Sequence, residues 1–339
     1  MTKFNVLFTS VGRRVSLVRL FRKSLFEQNI PHKLVGADLS PLAPASQVVD
    51  KFYLVPGVDS KEYIPTLLEI CKNEEIDLLV PLIDPELPII SQNKEKFKEQ
   101  ETTAMISSPQ TIEIAMSKLK TSQFFKNQGL PALPSYHYQE QSWREKLSFP
   151  LMLKPDQGSA SKGVYKIENE KELEVLASRV SQPIIQPLIK GREYTSDLLI
   201  DFQGKVRCVV PRLRIEVRAG EVSKGMTVRN ENLISLIKKA GEALPGAFGV
   251  INIQAFEDLE GNFYLAEINP RFGGGYPLSY HAGADFPCWL YLMLKERDKF
   301  ETINTDTWKE NLVMLRYDDE LIFPADKELL PLIMEEAIK

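Results

Sequence analysis

The sequence predicts a mixed α/β protein, with a doubly wound, parallel-sheet part first and a part built on antiparallel hairpins after it. Two observations carry that expectation. Short apolar runs alternate with helical spacing early in the chain, and strictly alternating runs joined by polar turns dominate later. From Phe4 to Phe8 an apolar run ends at Thr9-Ser10-Val11-Gly12-Arg13-Arg14, and a helical pattern follows in Val15, Val18, Leu20, Leu25 and Phe26. A second strand, Lys33 to Ala37, leads to Asp38. After a helix-like stretch, Tyr63 to Cys71, a third apolar run from Ile76 to Ile83 ends at Asp84-Pro85-Glu86. Strand, loop, helix, strand in this order predicts a parallel sheet with ligands at its carboxyl-terminal edge.

The middle of the chain is punctuated by helix signals. Ser107-Ser108-Pro109 starts a helix to about Met116, and Ser117-Lys118 starts another that stops near Gly129-Leu130-Pro131. Phe149 to Pro155 reads as a strand carrying Lys154. Behind it, Gly158-Ser159-Ala160-Ser161-Lys162-Gly163 makes a small-residue loop whose amides can approach an anion. The loop is no Walker A, because the G-x-x-x-x-G-K-[ST] order is absent. Pro183 to Leu188 is an apolar strand that turns at Lys190-Gly191 into an alternating one beginning at Arg192-Glu193. A helix over Asn232 to Leu244 has a core stripe in Leu233, Ile234, Leu236, Ile237 and Ala240.

The most informative segment is the hairpin Val250 to Phe256 and Asn262 to Ile268, joined by Asp258-Leu259-Glu260-Gly261. Gln254, Glu267 and Asn269 can share one face of it, with Arg271 two residues on and Gly273-Gly274-Gly275 closing the segment. Oxygen ligands in such a cluster suit Mg²⁺ bridging phosphates, and a neighbouring guanidinium suits a phosphoryl group in transfer. Upstream, Arg212, Arg214, Glu216 and Arg218 alternate, which sets them on one side of a strand and suggests recognition of substrate carboxylate or phosphate oxygens, Arg214 foremost. Arg13, at a helix amino terminus, is a further candidate for an acidic substrate group.

Bulk composition excludes several classes. Lysine plus arginine number 42 against 46 aspartate plus glutamate, a net charge of −4, so no nucleic-acid partner is expected. Cys71, Cys208 and Cys288 stand far apart, and His32, His137 and His281 show no ligand spacing, which argues against zinc, disulfides and a Cys/His nucleophile. Without a run of roughly 20 apolar residues no membrane role is expected, and a soluble cytoplasmic protein is. A redox dinucleotide is disfavoured because only Gly12 of a G-x-G-x-x-G is present.

The N-x-Q…E-x-N-P-R pattern of Asn252, Gln254, Glu267, Asn269, Pro270 and Arg271, with the strand lysine and small-residue loop before it, resembles the ATP-grasp superfamily, most of all a single synthetase half of the carbamoyl-phosphate synthase large subunit. The resemblance implies a Rossmann-like pre-ATP-grasp domain at 1–112, a two-lobed ATP-grasp domain at 113–300 (a small lid subdomain at 116–183, a large one at 184–300) and an extension at 301–339. It implies ATP and two Mg²⁺ ions, with Mn²⁺ able to replace them. Gln254, Glu267 and Asn269 become the metal ligands, and Arg271 and Lys154 the catalytic cations. Lys118, Lys154, Gly158, Ser159, Ser161, Gly163, Gln186, Leu188 and Glu193 become nucleotide contacts. Gln186 departs from the family's frequent Glu. The implied activity is an ATP-dependent carboxylate-amine ligase working through an acyl phosphate on small-molecule substrates. Two alternatives stand beside it: a bicarbonate-phosphorylating, carbamoyl-phosphate-synthase-type enzyme, for which a lone half could pair as a homodimer, and a nucleotide-binding regulator without turnover.

Overall fold

The structure is a computed structural model that describes residues 2–158, 163–325, 327 and 329–336. It divides into two compact units, one of 1–106, 285–304 and 316–339, the other of 107–284 and 305–315. Neither is contiguous in sequence. The stretch expected as a separate extension gives the strand Val313–Leu315 to the second unit and the helix Leu329–Glu336 to the first.

In the first unit β1 (Phe4–Thr9), β2 (His32–Asp38), β3 (Lys51–Leu54), β4 (Leu78–Pro81) and β5 (Thr103–Ala104) form a parallel sheet in the order β3-β2-β1-β4-β5. All six residues of β1 are buried, as a central parallel strand covered on both faces requires. The helix Val15–Glu27 buries Leu17, Val18, Leu20, Phe21 and Leu25, but Phe26, expected on that stripe, is 75 % exposed. It lies one position from Leu25, about 100° round the helix, which carries it off the buried arc.

At the ends of β1, β2 and β4 the polar residues hold the loops rather than stand free. Asp38 Oδ2 accepts from Gly12 N at 2.8 Å. Glu86, fully buried, accepts from Leu82 N (2.6 Å), Ile83 N (3.1 Å), Ser10 Oγ (2.9 Å) and Tyr63 Oη (2.6 Å), and burial pushes its carboxyl above the usual range. Arg13 is exposed on the same loop.

A second buried carboxylate fastens the sheet edge. Glu74 bonds Lys33, Lys51 Nζ (2.6 Å) and Tyr53 Oη (2.5 Å). Burial alone would raise its pKa, yet the two ammonium groups and the phenol outweigh that and hold it at about 2. A depressed carboxyl stabilises the fold above its unfolded pKa of about 4.3, and the contribution disappears as the pH falls through the folded value. Glu74→Gln is therefore expected to cost on the order of 2 kcal/mol at neutral pH, solvent around the half-exposed lysines reducing the full linkage value, and to flatten the acid limb of the stability profile between about pH 4 and 2. Urea midpoints across pH test this, and an unchanged acid limb would contradict it.

The second unit carries two antiparallel sheets. The smaller has the order β6-β9-β7-β8, from β6 (Tyr136–His137), β7 (Leu151–Pro155), β8 (Tyr165–Ile167) and β9 (Pro183–Pro187). Trp143, Leu151, Leu153, Ile167, Leu173 and Ile185 are its core. The larger has the order β14-β13-β10-β11-β12-β15, from β10 (Gly191–Ile200), β11 (Val206–Arg218), β12 (Glu221–Thr227), β13 (Gly249–Asp258), β14 (Phe263–Asn269) and β15 (Val313–Leu315). One face of it packs Leu198, Ile200, Ile251, Ile253 and Leu265 on Leu233, Ile237 and Ala240 of the helix Glu231–Ala243, and on Phe125 of the helix Lys118–Asn127. The other face carries polar chemistry.

Candidate active site

The polar face is set by strand register. β13 and β14 pair Asn252 with Asn269 and Gln254 with Glu267, but the next pair is Ala255 with Leu265, so Ala266 is bulged. The bulge decides the site. With strict alternation Glu267 would follow Leu265 into the hydrophobic core, whereas one extra residue turns Glu267 and Asn269 to the face that Gln254 shares. β10 lies on the far side of β13, with Thr195 opposite Gln254, and two residues back on the same face stands Glu193. The polar turn is held as its residues suggest, Asp258 Oδ1 accepting from Glu260 N (3.0 Å) and Asn262 N (2.8 Å).

Three cations gather round Glu267. Lys154 Nζ lies 3.3 Å from Glu267 Oε1, and Lys118 and Arg214 are close enough to act on it through space. Burial pushes the Glu267 carboxyl up, but the three positive groups prevail and hold it below the usual carboxylate range. Glu193 takes the opposite course: burial, with the negative Glu267 nearby, raises it against the pull of Arg214 and Lys154. Arg214 Nη1 donates to Glu193 Oε1 at 2.5 Å, and its side chain is only 9 % exposed.

After the hairpin the chain tightens on itself. Arg271 Nη2 donates to Asn269 Oδ1 (3.3 Å), and Arg271 N to Asn269 O (2.8 Å). Asn252 Nδ2 donates to the Arg271 carbonyl at 3.1 Å, and a Cβ at Gly273 would stand 1.9 Å from Asn252 Oδ1. Glycine is required there by close approach. The N-x-Q pattern contained Asn252, but its bond to the Arg271 loop became visible only in the folded register.

Lys118 Nζ donates to the carbonyls of Asp156 (3.3 Å) and Gly158 (3.2 Å), so it sits at the root of the small-residue loop. Gly158 and Gly163 have φ of +116° and +71°, a region that disfavours other residues. Ser159 and Ser161, expected as phosphate contacts, lie outside the described residues. Of the expected nucleoside contacts, Gln186 is buried and donates from Nε2 to Ser135 Oγ at 2.6 Å, and Leu188 is half-buried just after β9. Glu193 stands on the polar face, beside Arg214 and Glu267.

The arginine strand departs from its expected pattern. Alternation holds through Arg214, where Ile215 is bulged, and a second irregularity follows between Glu216 and Val217. Arg212 is 1 % exposed and grips the fully buried Asp197 through Nε–Oδ2 (2.7 Å) and Nη2–Oδ1 (3.0 Å). Its charge is spent inside the protein. Arg218 sits on the exposed hairpin tip, and only Arg214 joins the cluster around Glu267.

This fold is that of ATP-grasp proteins. Residues 115–275 match the ATP-grasp domain family and residues 6–106 the PylC-like N-terminal domain family. Residues 115–275 thus form an ATP-grasp domain, preceded by a PylC-like N-terminal domain. Carbamoyl-phosphate synthase of Methanobrevibacter smithii is 26 % identical over 157 residues, 44 % of this chain and 41 % of that one. A D-alanine–D-alanine ligase of Fusobacterium nucleatum is 26 % identical over 169 residues, 47 % of this chain and 58 % of that one. The chain spans about half the length of these curated relatives. Among solved structures, the biotin carboxylase domain of Hydrogenobacter thermophilus 2-oxoglutarate carboxylase, bound to MgADP and bicarbonate, aligns with a TM-score of 0.69 at 17 % identity over 87 % of this chain and 70 % of that one, a likeness of fold. No helix among the described residues is long and apolar enough to cross a membrane.

Proposed function

We propose that the protein is an ATP-dependent ligase that activates a small-molecule carboxylate as an acyl phosphate and joins it to an amine, releasing ADP and phosphate. The observation that carries this reading is Glu267, paired in register with Gln254 and surrounded by Lys154, Lys118 and Arg214. One carboxylate flanked by two amide oxygens is a poor closed cage for a cation. It fits Mg²⁺, which takes few protein ligands and completes its shell with phosphate oxygens and water. Gln254, Glu267 and Asn269 would hold it, and when bound it neutralises charge on the β and γ phosphates.

The remaining work falls to the chain's own groups. Lys154 and Lys118 clamp the phosphates. Arg271, braced against Asn269, offers its guanidinium to the oxygens of the phosphoryl group in transfer. Arg214 has a substrate-carboxylate role and is held in place by Glu193. Proton transfer by the protein is unnecessary for the first step, because a carboxylate is already the nucleophile and catalysis consists of positioning and charge neutralisation.

The test is turnover of ATP with Mg²⁺ against pooled carboxylates, with and without pooled amines, following ADP and phosphate. ADP formation that needs both a carboxylate and an amine supports the ligase. ADP formation with bicarbonate alone replaces it by carbamoyl-type chemistry, and tight ATP binding without turnover under any acceptor replaces it by a regulatory role.

A further inference from the structure

The root of the small-residue loop is tied to the helix Lys118–Asn127 by Asp156, which stands outside the set of ligands and clamps above. It is 8 % exposed. Its Oδ1 accepts from Leu119 N at 2.9 Å, and its carbonyl accepts from Lys118 N at 3.1 Å and from Lys118 Nζ at 3.3 Å. Its own N–H donates to Gln182 O at 3.0 Å. Ser117 Oγ takes the next amide, Lys120 N, at 3.1 Å. The first amides of the helix are thus satisfied partly from a distant segment, 37 residues on, and the carboxylate faces the positive end of the helix dipole.

This arrangement fixes where the Lys118 ammonium points. Nζ donates to two neutral carbonyls, Asp156 O and Gly158 O, while Glu267 feels its charge through space. The two carbonyls hold the ammonium between the loop root and the Glu267 face. Asp156 grips the amide of the residue beside Lys118, so a change at Asp156 reaches Lys118 through the first helical turn.

We propose that Asp156 is a positioning residue for the nucleotide phosphates, aiming Lys118 by pinning the start of its helix to the loop root. This rests on the ATP reading above. An ordinary helix cap would affect stability alone. A positioning residue affects ligands according to whether they carry phosphates.

Calorimetric titration of the full chain with ATP, ADP and adenosine, each with Mg²⁺, separates the two, with the thermal midpoint recorded alongside. Asp156→Ala is expected to weaken ATP and ADP about 10-fold, as loss of one charge-assisted hydrogen bond implies, while adenosine changes less than about 2-fold. Asp156→Asn, which keeps an acceptor oxygen, should recover to within about 3-fold of the wild type. In the background of Lys118→Ala, Asp156→Ala should add little, because the two act through one contact. Asp156→Glu shifts the carboxylate by a methylene, keeps its charge, and should show the same selective loss even if the alanine variant fails to fold. Equal losses for adenosine and ATP, additivity with Lys118→Ala, or a lowered midpoint with unchanged ATP affinity would overturn the proposal. If the wild-type chain binds neither ATP nor ADP, the nucleotide reading fails first.

Discussion

Glu267→Ala and Arg271→Ala are each expected to lower the rate of ATP-dependent turnover by at least ~10² to 10³, the usual loss when a group that stabilises developing charge is removed. Both side chains lie on the polar face of the β13–β14 hairpin and its continuation rather than in the core of the sheet, so the variants should keep the wild-type circular dichroism and unfold cooperatively. The two losses should differ in kind. Glu267→Ala leaves Lys154 and Lys118 without their carboxylate, so it should alter the Mg²⁺ dependence, whereas Arg271→Ala should lower kcat more than it raises KM. A folded variant with full activity would remove its residue from the proposed machinery.

Arg212→Met is expected to be the most damaging substitution for stability, at about 3 to 5 kcal/mol, because it strands a buried charge. Asp197 is fully buried, and beyond the Arg212 fork it has the Ser279 hydroxyl at 2.5 Å. One hydroxyl cannot replace a bidentate guanidinium. The pair also underlies the glycine turn, since a Cβ at Gly275 would stand 2.0 Å from Arg212 Nη1. Combining Arg212→Met with Asp197→Leu should recover much of the loss, because removing both partners leaves no unpaired charge. Denaturant midpoints decide, and a single-variant loss below about 1 kcal/mol would show that Asp197 is neutralised by other means.

Most of the architecture was legible because it follows from periodicity. The apolar runs became β1, β2 and β4, the Leu233, Ile237 and Ala240 stripe faced the core, and Ser117 capped the helix beginning at Lys118. The folded chain also sets Lys154 beside Glu267, and Glu267 opposite Gln254, although these residues come from separate strands. What periodicity could not show was every feature that depends on a partner strand. Arg212 and Arg214 look alike in sequence, and only the register with β10 sends one to Asp197 and the other to Glu193. The bond from Asp156 to Leu119 spans segments with no local signal joining them.

The extra residue in β14 has a consequence for how such a sequence can drift. Because Ala266 stands outside the ladder, losing it would leave Leu265 and Glu267 adjacent on opposite faces, with Glu267 still opposite Gln254, whereas a residue lost or gained between Glu267 and Asn269 would turn one of the two toward Leu265 and its apolar neighbours. Substituting Ala266 by another small residue keeps the count. From Glu267 to Asn269 spacing is therefore constrained as strictly as chemistry, while the bulge position itself can be shortened or substituted without turning either side chain over.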